Sequence, residues 1–446
     1  MPSFYIENFG CRAAQADGAS ISRQLTVRGL EPASADAAQL VILNTCTVTA
    51  DADRAARAAV RRIHSHNPCA KILVTGCYAQ RAPAEVATFS GVTWVVGNSH
   101  KHAIADTIFP DAPPFVPLHT LTQPPRAEVY VGDIFAHTEL LAAPVCIAAK
   151  TNSGDSRTRP NLKVQDGCDN RCSFCVIPSV RGQSRSRSLA QVIDDINALV
   201  AAGSREVVIS GINLGRWGRD LTPAARFETL VEAILQQTPL EKLRLSSVEP
   251  MDWSDDLIAV IRSAPRIARH AHVPMQSGSD SVLRRMHRKY RPWHYRAKIT
   301  KIREALPTAA IGADVMTGFP GETEAEFEET RRLVEDLPLT YLHIFPYSPR
   351  PGTPAAALPG QVPVHIARQR HQVLRDLIFQ KKQSFAQSFV GQTLPAITLL
   401  SSSPDSPNAL TDNYLELHLA VRHQPNCWLL ARITASENGR LTGILA

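Results

Sequence analysis

Short apolar segments alternate with longer segments of helical periodicity through the first hundred residues. The apolar runs are residues 4–9, 40–43, 72–75 and 93–96, and residues 53–63 have helical spacing. Short strands separated by helix-length segments are typical of a parallel sheet with crossover helices. We therefore predict an α/β fold whose N-terminal part is an open parallel-sheet domain.

A second alternating region, with a longer period, begins near residue 160. Its apolar runs are residues 162–164, 207–210, 243–245, 272–274, 311–316 and 341–345. The clearest helix starts after Ser188, which forms a capping box with Gln191 ahead of apolar positions at helical spacing. Six strand–helix units predict a partial (β/α)6 barrel, and active sites of such folds lie at the carboxyl ends of the strands.

The pattern changes on both sides of this predicted barrel. Residues 100–160 are rich in proline and end in a polar stretch typical of an exposed linker. Residues 364–389 have helical spacing and lead to three apolar runs, at 394–400, 414–421 and 428–433, interrupted by polar residues 401–408. These runs predict a small C-terminal β-barrel. The predicted domains are residues 1–110, 111–158, 159–389 and 390–446.

Composition favours an ordinary globular protein of the cytosol. The chain has 446 residues, of which 44% are hydrophobic and 20% charged. No apolar stretch approaches the roughly 18 residues of a membrane span, and the N-terminus has no secretion signal. Nine cysteines, an odd number, then favour reduced thiols available to metal. The net charge of +7 indicates a polyanionic partner.

Three cysteines, Cys168, Cys172 and Cys175, form a C-x3-C-x2-C run directly after the first predicted barrel strand. Three thiolates can hold three irons of a four-iron cluster, which leaves the fourth iron open, as a catalytic metal site requires. Two other interpretations stay open on spacing alone. The run could supply three ligands of a zinc site whose fourth ligand lies elsewhere, or three structural thiols.

A second set of three cysteines follows three predicted strands of the N-terminal sheet. Cys11, Cys46 and Cys77 each come just after an apolar run. Because ligands collect beyond the carboxyl ends of parallel strands, these thiols are expected to gather at one edge and to form a second three-ligand cluster site. The alternative is that they are small buried hydrophobic residues. Cys69, Cys146 and Cys427 have no such pattern, and we interpret them as structural.

Glycine-containing loops follow the second, fourth and fifth predicted barrel strands. Glycine lets backbone approach a ligand closely, and Thr323 with Glu326 caps the next helix so that its N-terminus faces the site. Glycine turns also occur as plain connections, so this alternative remains. The candidate ligand-binding residues are Ser210, Gly211, Asn213, Gln276, Ser277, Gly318 and Gly321.

Two cysteine triads in these places resemble the methylthiotransferase family of radical S-adenosylmethionine enzymes, and the resemblance covers nearly the whole chain. It is carried by Gly10-Cys11, Asn44-Thr45-Cys46, residues 75–80, the loop 168–175 with Arg181-Gly182 and residues 186–188, and residues 274–279, 318–323 and 347–353. The chain departs from the family's pattern at Arg12-Ala13-Ala14-Gln15, where an asparagine is common. That departure concerns the surroundings of the first triad and not its ligands.

The resemblance implies two [4Fe-4S] clusters and S-adenosyl-L-methionine. The cluster at Cys168, Cys172 and Cys175 would cleave S-adenosylmethionine to a 5′-deoxyadenosyl radical, which removes hydrogen from C2 of an adenine. The auxiliary cluster at Cys11, Cys46 and Cys77 would hold the sulfur that is methylated and inserted. The loop residues given above would line the S-adenosylmethionine pocket, and no catalytic residue beyond the cluster ligands is implied.

Within the family, residues 47–54, 210–215 and 245–250 look most like the branch that modifies N6-threonylcarbamoyladenosine beside the tRNA anticodon. The alternatives are the same chemistry on isopentenyladenosine in tRNA or on a ribosomal-protein aspartate, or a non-catalytic Fe-S RNA-binding protein. The implied partners are tRNA, a reductant of flavodoxin or ferredoxin type and a sulfur source, with no membrane. The C-terminal barrel resembles the family's RNA-binding TRAM domain.

Two groups of basic residues lie near the predicted active site. Such residues could neutralise tRNA phosphates, although charge runs are more often solvated helix faces. The candidate RNA-binding residues are Arg181, Arg185, Arg187, Arg284, Arg285, Arg288, Lys289 and Arg291.

Overall fold

The fold is given by a computed structural model that describes residues 2–109, 127–137, 140, 158–400, 408–421 and 423–446. Most of the proline-rich connection, including Cys146, and most of the predicted break at 401–408 lie outside the described residues. Two compact units are present. The first comprises Met1–Ser156, Asn161–Asn170 and Cys175–Ser186, and the second comprises the remaining residues. Among the described residues, no helix combines the length and the apolar character needed to cross a membrane.

The first unit is built on a six-stranded parallel sheet with the order β2-β1-β3-β4-β5-β6. Its strands are β1 (Ser3–Asn8), β2 (Glu31–Pro32), β3 (Leu40–Thr45), β4 (Lys71–Gly76), β5 (Val92–Val96), β6 (Glu128–Tyr130), β7 (Asn161–Lys163), β8 (Gln165–Asp166) and β9 (Arg185–Ser186), the last two forming a separate antiparallel pair. Its helices are α1 (Arg12–Val27), α2 (Ala50–His66), α3 (Cys77–Arg81), α4 (Pro83–Val86), α5 (Ile104–Ile108) and α6 (Ile177–Arg181).

Apolar side chains cover both faces of this sheet, which explains the continuous apolar runs of its strands. On one face Val41, Leu43 and Val74 pack against α2 residues such as Val60 and Ile63. On the other face Ile42 and Leu73 pack with Ile21 and Leu25 of α1. The open parallel-sheet prediction is confirmed. The pattern missed β2 and β6, because two or three residues are too few to establish periodicity.

The second unit continues the alternation of strands and helices. Its strands are β10 (Glu206–Ser210), β11 (Lys242–Leu245), β12 (His270–His272), β13 (Ala310–Thr317) and β14 (Tyr341–Pro346). Its helices are α7 (Leu189–Ala201), α8 (Phe227–Gln237), α9 (Asp255–Ser263), α10 (Asp280–Arg285), α11 (Pro292–Ala305), α12 (Glu324–Asp336) and α13 (Val364–Gln387). Strand β10 pairs in parallel with β11, and β13 pairs in parallel with β12 and β14.

A strand stands at each of the six positions predicted for the barrel, the first being β7. Both capping boxes are present: Ser188 Oγ accepts from Gln191 N at 3.3 Å, and Thr323 Oγ1 accepts from Glu326 N at 3.2 Å. The compact units divide the chain differently from the predicted domains, because residues 161–170 and 175–186 fall in the first unit.

The C-terminal segment forms a closed five-stranded barrel, so the small β-barrel is confirmed, although the apolar runs predicted only three of its strands. Its strands are β15 (Thr393–Thr398), β16 (Ala409–Thr411), β17 (Glu416–Leu419), β18 (Trp428–Glu437) and β19 (Arg440–Leu445). Alternate residues such as Ala396, Leu417, Ala431 and Leu441 fill its interior. The fold class is therefore that predicted: a parallel α/β sheet, strand–helix units and a small β-barrel.

Candidate functional site

The first cysteine triad lies at the topological switch point of the N-terminal sheet. The strand order places β2 on one side of β1 and places β3 and β4 on the other, so the chain turns in opposite directions beyond β1 and β3. Such a reversal opens a crevice at the carboxyl ends of the strands, where open α/β sheets bind ligands. Cys11 follows β1, Cys46 follows β3, and Cys77 is the first residue of α3 directly after β4.

The three thiols are close enough to influence one another. Burial, together with the neighbouring Cys77 and Cys11 thiols, raises the pKa of Cys46 to about 12. Gly10 has φ +97°, and a Cβ placed on it would lie 2.6 Å from Cys46 Cβ and 2.9 Å from Cys46 Sγ. The segment after β1 can therefore pass the Cys46 thiol only because residue 10 is glycine.

Nitrogen donors point at two of these sulfurs. Val48 N–H donates to Cys46 Sγ at 3.5 Å, and Asn98 Nδ2 donates to Cys77 Sγ at 3.5 Å. Hydrogen bonds to sulfur and limited solvent access are the features by which proteins tune iron–sulfur centres. Three thiol donors at strand ends, with a glycine cradle beside them, therefore fit a cluster held by three cysteines.

A buried network of five charged side chains lies in the same unit. The Asp17 carboxylate contacts Lys101 Nζ and an Arg181 guanidinium nitrogen at 3.0 Å each, and it also contacts Lys163. Asp166 accepts from Lys163 at 2.8 Å and from Arg181 Nη1 at 2.9 and 3.0 Å. Three cations thus face two carboxylates away from water. Burial raises the pKa of Asp17, but Lys101, Lys163 and Arg181 outweigh it and lower that pKa to about 2.

Amide side chains connect this network to the cysteine-bearing segments. Asn44, two residues before Cys46, accepts from Lys101 Nζ at 3.1 Å and donates to Ala14 O at 2.6 Å. Asn161 Nδ2 donates to the backbone oxygen of Arg12 at 2.8 Å. The segments after β1 and β3 are therefore held by polar bonds that ordinary hydrophobic packing would not supply.

The second triad is divided between the compact units, with Cys168 and Cys175 in the first and Cys172 in the second. In the first unit Cys168 N–H donates to Gly182 O at 3.1 Å, and Asn170 N–H donates to Cys168 Sγ at 3.4 Å. Gly167 has φ +72°, and a Cβ there would lie 1.9 Å from Gln183 O. Only glycine fits directly before Cys168.

In the second unit Cys172 lies beside an ion pair between buried Arg288 and half-buried Glu249. Arg288 Nη1 donates to Cys172 Sγ at 3.3 Å, and the same guanidinium binds the Glu249 carboxylate. Burial raises the pKa of Glu249 in spite of Arg288. Ser173 N–H and Oγ donate to Met286 O at 3.1 Å and Arg285 O at 2.7 Å. These bonds hold the loop that presents Cys172, and the thiol with its cationic donor fits a cluster ligand.

In the loops predicted to bind S-adenosylmethionine, some polar groups already have hydrogen-bond partners in the protein and others do not. The buried Ser210 hydroxyl has no hydrogen-bond partner among the described residues, so it can still accept one. Ser277 Oγ bonds Thr330 Oγ1 at 3.2 Å. The Gly318 amide donates to Glu322 at 2.7 Å.

Four other loop residues were predicted for the same pocket. The Gly321 amide donates to Gly360 O at 2.7 Å. Gln276 adopts φ +61° at the end of the fourth predicted strand. Asn213 is buried, and Gly211 is half-buried two residues before it. Assignment of all seven loop residues to S-adenosylmethionine stays a prediction.

Two of the predicted RNA contacts need correction. Arg181 and Arg288 are only 2% and 7% exposed, and their guanidinium groups bind the buried Asp166 and the half-buried Glu249. Enclosed cations cannot reach a phosphate backbone, so we withdraw both as RNA contacts. Sequence alone gave no sign of this, because the carboxylate that pairs with each lies 15 or 39 residues away in the chain.

The other basic residues vary in accessibility. Arg284 and Lys289 are exposed, as is the neighbouring Trp293, whose ring could stack on a base. The remaining four are half-buried and have protein partners. Arg187 binds Asp195, Arg285 binds Glu326, Arg291 binds Asp280, and Arg185 donates to His137 O.

A histidine–carboxylate group on β12–β14 was not predicted from the sequence. Asp314 Oδ1 lies 3.1 Å from His272 Nε2 and 3.4 Å from His343 Nδ1. Tyr341 OH lies 3.0 Å from His272 Nδ1 and 2.6 Å from His270 Nε2. These distances describe a chain of hydrogen bonds in which Asp314 accepts twice. Period-two alternation could have found it, since the members recur on one face of their strands.

Comparison with known proteins defines the class first. Residues 162–334 match the Radical SAM superfamily, and residues 3–97 match the family described as Uncharacterized protein family UPF0004. The fold resembles that of the radical S-adenosylmethionine methyltransferase TsrM from Kitasatospora setae, with a TM-score of 0.56 at 16% identity over 80% of this chain and 74% of that one. The radical class implies a [4Fe-4S] cluster and S-adenosylmethionine.

Full-length relatives then give the family. The chain is 34% identical to the threonylcarbamoyladenosine tRNA methylthiotransferase MtaB of Aquifex aeolicus over 92% of its length and 95% of that protein. The protein of that name from Bacillus subtilis is 34% identical over 94% and 90%. The tRNA-2-methylthio-N(6)-dimethylallyladenosine synthase of Saccharopolyspora erythraea is 32% identical over 88% and 77%. This chain belongs to the tRNA methylthiotransferase family of radical S-adenosylmethionine enzymes.

Proposed function

We propose that this protein inserts a methylthio group at C2 of N6-threonylcarbamoyladenosine next to the tRNA anticodon. The observation that carries the proposal is the similarity to the relatives named for this substrate, which covers 92% to 94% of this chain. Two [4Fe-4S] clusters and S-adenosylmethionine would supply the radical and the sulfur. The partners in this proposal are tRNA, a flavodoxin- or ferredoxin-type reductant and a sulfur source.

The chain's own residues would bind, orient and exclude water. Cys11, Cys46 and Cys77 would hold the auxiliary cluster at the switch point, where Gly10 leaves room for the Cys46 thiol. Cys46 and Cys77 are buried whereas Cys11 is exposed, so the protein shields two of the three thiols from water.

The second triad has its own positioning contacts. Cys168, Cys172 and Cys175 would hold the radical cluster, and Arg288 would orient Cys172 while balancing the charge of the thiolate. The Ser210 hydroxyl is available to S-adenosylmethionine. Arg284 and Lys289 are the most accessible candidates for phosphate contacts.

The test is a nucleoside analysis of tRNA from a strain that lacks this gene. Loss of 2-methylthio-N6-threonylcarbamoyladenosine, with accumulation of the unmodified precursor and restoration by the wild-type gene, is the expected result. Persistence of the methylthio nucleoside in the deletion strain would overturn the substrate assignment. The matched control is a strain complemented with Cys172→Ala, which should not restore the nucleoside.

Modification of isopentenyladenosine is the second candidate, since a relative named for that nucleoside is 32% identical over most of this chain. The same mass spectra separate the two, because the alternative removes the methylthio form of isopentenyladenosine instead. A ribosomal-protein substrate would leave both nucleosides unchanged. A non-catalytic RNA-binding protein would bind tRNA but form no 5′-deoxyadenosine with S-adenosylmethionine and reductant.

A further inference from the structure

Arg181 is one of the three cations of the buried network around Asp17. It ends α6, and both Val180 of this helix and Val176 just before it pack against Cys77. Asn98 ties the two together, because its Nδ2 donates both to Cys77 Sγ at 3.5 Å and to Val180 O at 2.7 Å. Arg181 therefore directly follows Val180, a residue that contacts Cys77.

Arg181 is close enough to Cys77 and Cys11 for their charges to affect the pKa of its guanidinium. Burial lowers the pKa of its guanidinium, but Asp166, Cys77, Asp17 and Cys11 outweigh burial and hold that pKa well above its usual range. Arginine stays protonated at every accessible pH, so this charge is permanent. Its side chain is 2% exposed, which leaves solvent little opportunity to screen it.

Lys101 reinforces the effect from a different element. Its Nζ lies 3.0 Å from Asp17 and 3.1 Å from Asn44 Oδ1, and its charge also interacts with that of Cys77. Arg181, Lys101 and Lys163 together outnumber the carboxylates Asp17 and Asp166. A network that only had to satisfy buried charges would need no third cation, and a surplus of positive charge costs desolvation free energy.

Resting on the proposed function, we propose that Arg181 is a positioning residue that raises the reduction potential of the auxiliary cluster held by Cys11, Cys46 and Cys77. One-electron reduction adds a negative charge to the cluster. A fixed cation in a low-dielectric site stabilises the reduced form more than the oxidised form, so the potential rises. Lys101 contributes in the same direction.

The experiment measures the midpoint potential of the auxiliary cluster, without the other cluster, in the whole chain. A background with Cys168→Ala, Cys172→Ala and Cys175→Ala removes the ligands of the other cluster, and iron analysis shows whether the first triad still holds one. A mediated dithionite titration followed by electron paramagnetic resonance then gives the midpoint potential. Arg181→Met removes the charge and leaves two cations for two carboxylates, while Arg181→Lys keeps the charge.

Arg181→Met should lower the midpoint potential by at least the equivalent of a tenfold change in the reduction equilibrium, about 59 mV for one electron. Arg181→Lys should restore most of that shift, and Arg23→Met, on an exposed side chain of α1, should cause none. Lys101→Met is the second charge-removing variant and should also lower the potential, which covers the case in which Arg181→Met does not assemble a cluster.

Two distinct failures can be told apart. If the charge-removing variants hold a cluster whose potential equals that of Arg23→Met, Arg181 has only a structural role and the inference is overturned. If the background variant binds no iron at all, the auxiliary cluster of the proposed function is absent, and the failure lies there.

Discussion

The two cysteine triads are assembled from the chain in opposite ways. Cys168, Cys172 and Cys175 lie within one eight-residue stretch. Cys11, Cys46 and Cys77 come from the ends of three strands and depend on the strand order of the sheet, on Gly10 and on the buried network around Asp17. One cysteine triad is therefore specified by local sequence, whereas the other is brought together only in the folded sheet.

Removing one ligand from each triad should produce the largest effects and should separate the two sites. Cys46→Ala is expected to lose about four irons per chain and all methylthio product, yet still form 5′-deoxyadenosine from S-adenosylmethionine and reductant. Cys172→Ala is expected to lose about four irons as well and also the 5′-deoxyadenosine. Iron analysis of anaerobic protein and chromatography of the reaction products measure both quantities.

Cys69→Ala is the control, since this exposed cysteine belongs to neither triad. It should change neither the iron content nor the products. A Cys46→Ala protein that keeps its full iron content would show that Cys46 is not a cluster ligand.

Neutralising Asp17, the carboxylate that contacts all three cations of the buried network, should have the next largest effect, which is a loss of stability. Asp17→Asn leaves Lys101, Lys163 and Arg181 facing Asp166 alone, and breaking a buried ion pair on one side costs about 3–5 kcal/mol. Denaturant unfolding of the metal-free chain should therefore show a large loss of stability.

Asp106→Asn is the matched control for that loss. Asp106 pairs with Arg28 on the surface, where its side chain is 67% exposed, and removing such a pair costs about 0–1 kcal/mol. Equal losses from the two substitutions would mean that the buried network contributes no more than a surface pair.

The local features of this protein could be predicted from its sequence. The alternation of apolar runs gave the parallel sheet, the six strand positions and the C-terminal barrel. The capping boxes at Ser188 and Thr323 were visible because their members are three residues apart. The C-x3-C-x2-C spacing of the second triad belongs to the same group, since all its information lies in one loop.

The distant pairings could not be predicted. Asp17 and Arg181 are 164 residues apart, so no periodicity relates them, and both basic residues that proved buried had been predicted to contact RNA from charge density alone. The first triad could be predicted from the sequence only because the carboxyl ends of parallel strands lie at one edge of the sheet. That rule locates the thiols but does not reveal the charges that surround them.

Low pH should reduce the stability of the first compact unit, because Asp17 becomes protonated. The three cations lower the pKa of Asp17 to about 2, below its usual value near 4, so the folded chain binds this proton less readily than the unfolded chain does. The resulting stability, about 2 kcal/mol, is present above pH 4 and is lost as the pH falls from about 4 towards 2. Denaturant midpoints measured across this range should fall less steeply in Asp17→Asn, and identical slopes would contradict the assignment.

Gly10→Ala should have the smallest effect on stability, but it tests the geometry of the first cysteine triad most directly. A Cβ at Gly10 would press on Cys46, whereas a Cβ at Gly29, which has a similar φ of +83°, would meet nothing within 4 Å. Both glycine-to-alanine changes cost about 1–2 kcal/mol for the left-handed backbone. Only Gly10→Ala must also move the Cys46 thiol. In the background lacking the second triad, Gly10→Ala should lose most of its iron while Gly29→Ala keeps it. If both retain iron equally, the first triad tolerates displacement, and the contrast between a local and a folded metal site is weaker than these contacts indicate.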